Sequence, residues 1–110
     1  MELRHEQRFP VGFHSSLYSI NIGHDLGMML NLSPSGCRIE SSMKVLIGMH
    51  LTLRLDVPDQ RFPIEIEGAV RWSRGQEFGV EFIAMGPAHR ERLSEVISIF
   101  EQKHMTSLML

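Results

Sequence analysis

Much of the chain alternates apolar and polar residues with a period of two, the signature of strands with one buried face. In "HLTLRLDV", Leu51, Leu53, Leu55 and Val57 share one face, and Thr52, Arg54 and Asp56 share the other. "IEIEGAVRW" keeps one phase: Ile64, Ile66, Gly68, Val70 and Trp72 are predicted inward, with Glu65, Glu67, Ala69 and Arg71 outward. "EFGVEF" repeats the pattern with Phe78, Val80 and Phe82, and "GCRIE" with Cys37 and Ile39. In "MMLNLS" the inward phase is assigned to Met28, Leu30 and Leu32. "GFHSSLYSI" is a weaker first strand, since serines break its alternation. "SPSG", "VPDQ" and "SRGQ" carry the Gly, Pro and Asp that chain reversals need.

The period changes near the end. In "GPAHRERLSEVISIFEQKH", Leu93, Val96, Ile97 and Phe100 fall at i, i+3, i+4 and i+7, an amphipathic helix. Pro87 suits its first position, with Gly86 as the cap. A helix over about 87–104, about 18 residues, spans roughly 27 Å. Together these elements predict roughly five to seven antiparallel strands followed by one helix, closed or nearly closed to avoid exposed edges.

Composition narrows the function. A chain of 110 residues predicts one domain, 1–110, with a modest core. Its net charge of -2 argues against duplex DNA as a partner, so any anion must be held by a local cluster of Arg or Lys. No apolar run is long enough for a membrane span, so no membrane insertion is expected. No secretory signal is evident, and the single cysteine fits a cytoplasmic location.

Two polar groups stand apart from this pattern. On the assigned phase, Asn31 and Ser33 project together from the outward face of their strand, and Gly36 follows in a turn. Asn and Ser supply donors and acceptors, while Gly permits positive φ and close approach of a ligand to the backbone. Arg4 and Arg8 lie in an N-terminal arm over 1–10, ahead of a barrel expected over about 12–84. In an extended arm four residues span about 13 Å, with both side chains on one side. Guanidinium groups bind phosphate oxygens and the O6/N7 edge of guanine in bidentate fashion. Neither group is decisive by itself, because an Arg-x-x-x-Arg pair is common by chance and Asn-x-Ser-x-x-Gly is an ordinary strand end.

In this order and spacing, the two motifs resemble the signature of the PilZ domain family. "GAVRW", "FGVEF" and the terminal helix extend that resemblance over nearly the whole chain. The resemblance implies a six-stranded antiparallel β-barrel with a C-terminal helix, acting as a receptor for the bacterial second messenger cyclic di-GMP. It implies that Arg4 and Arg8 engage phosphate and guanine, and that Asn31, Ser33 and Gly36 hold the ligand against the barrel. The arm is expected to become ordered over the ligand, and an unidentified downstream protein to read the new surface. The alternative is a PilZ-like protein-interaction module that does not bind the nucleotide.

Further candidates follow from position. Trp72 shares the inward phase of Val70 and is assigned to core packing; the alternative places it at the barrel mouth, stacking near a guanine with Arg74 close by. Arg38, outward after Gly36, adds positive charge or is simply a solvated strand residue. Leu3 adds no cation before the arginine pair, which favours one bound ligand over a stacked ligand dimer. The histidines are scattered, and no cysteine pair completes a metal site, so no metal or cofactor is expected. Cys37 reads as a small buried hydrophobe, and no catalytic constellation is visible, so the chain is not expected to be an enzyme. With aromatics at only 7%, mostly in the core phase, an OB-like binder of single-stranded nucleic acid is disfavoured. The apolar residues Met105, Leu108, Met109 and Leu110 suggest a tail that docks on a partner or on the barrel.

Overall fold

The computed structural model describes residues 6–109, with side chains through 105. The strands are β1 (Phe9–Ser19), β2 (Gly23–Ser33), β3 (Gly36–Glu40), β4 (His50–Leu55), β5 (Ile64–Arg74) and β6 (Glu77–Ala84), followed by helix α1 (Pro87–Met109). The six strands form a closed antiparallel barrel in the order β1-β2-β3-β6-β5-β4, sealed where β1 pairs with β4 from Ser15↔Leu55 to Tyr18↔Thr52. Closure gives each of the six strands a neighbour on both sides.

Period-two alternation fills the barrel as expected in β3 and β4, where Cys37, Ile39, Leu51, Leu53 and Leu55 are buried. In β1 the serines do not break the alternation; they continue it. Phe13, Ser15, Leu17 and Ser19 all face inward. Ser15 Oγ donates to the carbonyl of Phe13 (3.2 Å), and Ser19 Oγ accepts from the amide of Asn21 (3.2 Å), so their burial leaves no polar cost.

Two strands depart from the predicted phase, each at a register shift. In β2 the shift lies between Met29 and Asn31, so Met29 and Leu32 are buried, not Met28 and Leu30. In β5 one shift lies between Glu67 and Gly68 and another between Val70 and Trp72. Ala69 is therefore buried alongside Val70, and Trp72 is turned outward. One extra residue in a strand reverses every side chain beyond it.

Helix α1 closes the assembly with its predicted face: Leu93, Val96 and Ile97 are buried, and Phe100 packs beside Phe9 and Phe13, with ring centroids 6.2 and 6.1 Å away. Polar contacts fix its first turns. The amide of Glu65 donates to Nδ1 of His89 (3.1 Å). Arg92 donates to the Pro63 carbonyl (3.1 Å), to Oε1 of Gln60 (2.6 Å) and to the Phe62 carbonyl. The helix has 23 residues and runs beyond 104 because "EQKHMTSLM" contains neither Gly nor Pro to stop it. Met105 is exposed. The side chains of Leu108 and Met109, and all of Leu110, lie outside the described residues.

Candidate functional site

The hairpin joining β2 to β3 is the base of the site. Ser33 pairs with Gly36 across the turn, and Ser33 Oγ, fully buried, donates to the Gly36 carbonyl (3.2 Å). The next strand is tied on by the Phe82 amide, which donates to the Ser35 carbonyl (2.8 Å). Gly36 is needed for space, not for positive φ. A Cβ there would lie 2.5 Å from the Val80 carbonyl oxygen of β6, whereas the glycines with positive φ are Gly23, Gly48 and Gly75. Ser33 therefore holds the turn from inside.

Arg8 precedes β1 at the point where that strand meets the same hairpin, through the pairs Phe9↔Leu32 and Pro10↔Asn31. Its Nη1 reaches Oδ1 of Asn31 at 3.5 Å, the long end of a hydrogen bond. The Ser35 hydroxyl donates to the Glu6 carboxylate, so residues 6–8 follow the turn. Arg8, Asn31 and Gly36 thus lie around one turn. Arg4 and Leu3 lie outside the described residues.

The opposite wall comes from the β5–β6 hairpin. Trp72 is not core: it pairs with Gly79, and 41% of its surface is exposed. Its indole lies directly over Gly79, where an added Cβ would be 2.0 Å from Nε1. The missing side chain on β6 makes the bed for the ring. Between this wall and Arg8 runs a cleft of about 340 Å³, lined also by Ser35, Gly36, Cys37, Arg71, Val80 and Glu81. In it Arg71 Nε donates to Oε1 of Glu81 at 2.6 Å.

Behind Trp72 lies a second depression of about 610 Å³ bordered by Arg38, Arg74 and Glu77. Arg38 Nε is 3.5 Å from the Glu77 carboxylate without hydrogen-bond geometry, so this guanidinium is only loosely held. The indole therefore separates two arginine-bearing hollows. Cys37 forms part of the cleft floor; burial pushes its thiol well above the ordinary range, outweighing the opposite pull of the Arg8 charge. It is not an available nucleophile. Among the described residues no cluster of His, Cys, Asp and Glu is arranged to hold a metal ion, and no helix is long and apolar enough to cross a membrane.

The sequence reading missed Ser35, Arg71, Gly79 and Glu81. For the β5–β6 wall a signal was present. A two-residue turn at Gly75-Gln76 pairs Arg74 with Glu77 and, counting back, Trp72 with Gly79. Directly paired residues share a face, so the turn sets Trp72 beside Gly79; that this face is outward comes from the register shift after Val70.

The PilZ domain family model matches residues 2–98. No curated protein matches the sequence significantly. Among solved structures, the barrel is similar to the c-di-GMP-bound PilZ domain of YcgR from Escherichia coli, with a TM-score of 0.73 and 12% identity over 97% of this chain and 98% of that one. The inhibitor of motility MotI/DgrA of Bacillus subtilis gives a TM-score of 0.73 and 14% identity over 96% of this chain. This chain spans only 53% of that protein. The PilZ domain of CeSA from a cellulose-synthesizing bacterium gives 0.68 and 9% identity, over 86% and 98% of the two chains.

Proposed function

This chain belongs to the PilZ domain family, and we propose that it is a non-enzymatic, cytoplasmic receptor for cyclic di-GMP that passes the signal to a partner protein. The observation that carries the proposal is the placement of Arg8 and the exposed indole of Trp72 on opposite sides of one cleft, with the close-packed Gly36 turn between them. A cyclic dinucleotide offers phosphates to guanidinium groups and flat purine faces to an aromatic ring. The c-di-GMP held by the PilZ domain of YcgR agrees with that chemistry.

Arg8 holds a phosphate or a guanine edge, and Arg4 joins it from the preceding arm. Asn31, already in reach of Arg8 at 3.5 Å, sets the guanidinium's position and offers its amide to the ligand. Ser33 and Gly36 act through the backbone: they keep the turn tight enough for the ligand to approach. Trp72 stacks a base, with Arg38 and Arg74 adding positive charge on its far side. The ligand draws the arm across the cleft, and the ordered arm makes the surface that a partner reads. The cost of ordering is offset by the phosphate and guanine contacts.

Calorimetric titration of cyclic di-GMP into the native chain and Arg8→Ala tests this reading, with GTP and cyclic GMP as controls. The native chain is expected to bind at micromolar or tighter, about -8 kcal/mol. Losing one partner of a charged contact costs about 2–5 kcal/mol, so a weakening of less than tenfold removes Arg8 as a principal contact. Absence of binding by the native chain would leave the protein-interaction module as the function.

A further inference from the structure

The proposed cleft contains a carboxylate, which is unexpected for a site that takes phosphates. Glu81 lines it beside Trp72 and Val80, and nothing about the barrel requires an acid there. Its side chain is 48% exposed and its partner Arg71 55% exposed, and an ion pair in that setting adds little to stability. What distinguishes the pair is its position. Gly79 and Glu81 are two residues apart on β6 and so face the same way, roughly 7 Å apart along the strand. The Trp72 indole covers Gly79. A purine stacked on that ring has Glu81 at its edge.

The chemistry of the pair matches one base. An ionised carboxylate only accepts hydrogen bonds, and a guanidinium only donates. Guanine presents two neighbouring donors, N1–H and the 2-amino group, beside the acceptors O6 and N7. Arg71 binds Oε1 of Glu81 through Nε (2.6 Å), while Oε2 and the terminal guanidinium nitrogens make no other hydrogen bond among the described residues. Those free positions form an acceptor set next to a donor set, complementary to that edge. Adenine would turn its N1 lone pair toward the carboxylate and be repelled.

We propose that Glu81, oriented by Arg71, is the group that selects guanine over adenine in this cleft; the proposal rests on the cyclic di-GMP reading above. The Arg71 charge also cancels that of Glu81, so the phosphates meet the net positive field of Arg8.

The test compares the native chain with Glu81→Gln and Glu81→Asp, titrated with cyclic di-GMP, cyclic di-AMP and cyclic di-IMP, whose hypoxanthine lacks the 2-amino group. Thermal melting of each variant checks that the exposed substitution leaves the barrel folded. The native chain is expected to bind cyclic di-GMP at least about tenfold more tightly than cyclic di-IMP, because removing a hydrogen-bonded group leaves the site's own polar atoms unpaired. In Glu81→Gln that difference disappears and cyclic di-AMP binds as well as before or better, while Glu81→Asp retains a preference for guanine. Equal binding of cyclic di-GMP and cyclic di-IMP by the native chain overturns the role of Glu81. So does an unchanged ratio of cyclic di-GMP to cyclic di-AMP in Glu81→Gln. If either result accompanies tight, Arg8-dependent binding, only the role of Glu81 falls. If the native chain binds none of the three, the receptor reading falls and takes this role with it.

Discussion

Replacing Gly79 with alanine puts a methyl group where the indole of Trp72 lies. The new Cβ would be 2.0 Å from Nε1 and 2.6 Å from Cδ1 and Cε2. Carbon atoms in ordinary contact stand about 3.5–4.0 Å apart, so the ring must retreat by roughly 1.5 Å or swing away from the sheet. Its exposure gives it room to do so, and the barrel interior is untouched. Forcing a side chain about 30° off its rotamer costs roughly 0.5–1.5 kcal/mol, so the variant is expected to fold and to lose about 1 kcal/mol of stability. The ligand loses more. Stacking of a base on an aromatic ring is worth about 1–3 kcal/mol, which corresponds to roughly 5- to 150-fold weaker binding of cyclic di-GMP. The chain has one tryptophan, so its fluorescence reports on this wall alone. Quenching on titration should be strong in the native chain and largely lost in Gly79→Ala, with calorimetry giving the matching affinities. Native-like affinity together with native-like quenching in the variant would refute the idea that the indole on Gly79 is the stacking platform.

Gly36→Ala meets a harder obstacle, because its Cβ would fall 2.5 Å from the backbone oxygen of Val80. Neither strand yields easily, and a cost of about 1–3 kcal/mol is expected from overpacking; a urea midpoint equal to that of the native chain would contradict the close approach of β3 to β6. The Cys37 thiol is buried and held protonated, so a thiol-specific reagent should modify it only as fast as the barrel opens. Modification under native conditions at the rate of a free thiol would show that the cleft floor is accessible.

The arginine and Asn-x-Ser-x-x-Gly motifs were legible because their spacing is local. Arg8, Asn31 and Gly36 come together in space only through one strand pairing and one turn. The role of Ser33 was not legible. Its bond to the Gly36 carbonyl depends on how the turn closes, which the spacing from Asn31 does not show. The apolar face of α1 was equally plain, since Leu93, Val96, Ile97 and Phe100 repeat with helical period regardless of what they cover.

What the amino-acid sequence determined by itself is the set of elements and the buried face of most of them, because a period of two or of 3.6 residues is a property of the local chain. What only the tertiary structure decided is where that period is interrupted and what then meets across strands. The register shift after Val70 turns Trp72 out of the core, and strand pairing lays it on Gly79 and sets Arg71 against Glu81. A residue added to one strand has no signature in that strand alone, because its phase is fixed by the partner to which it is hydrogen-bonded.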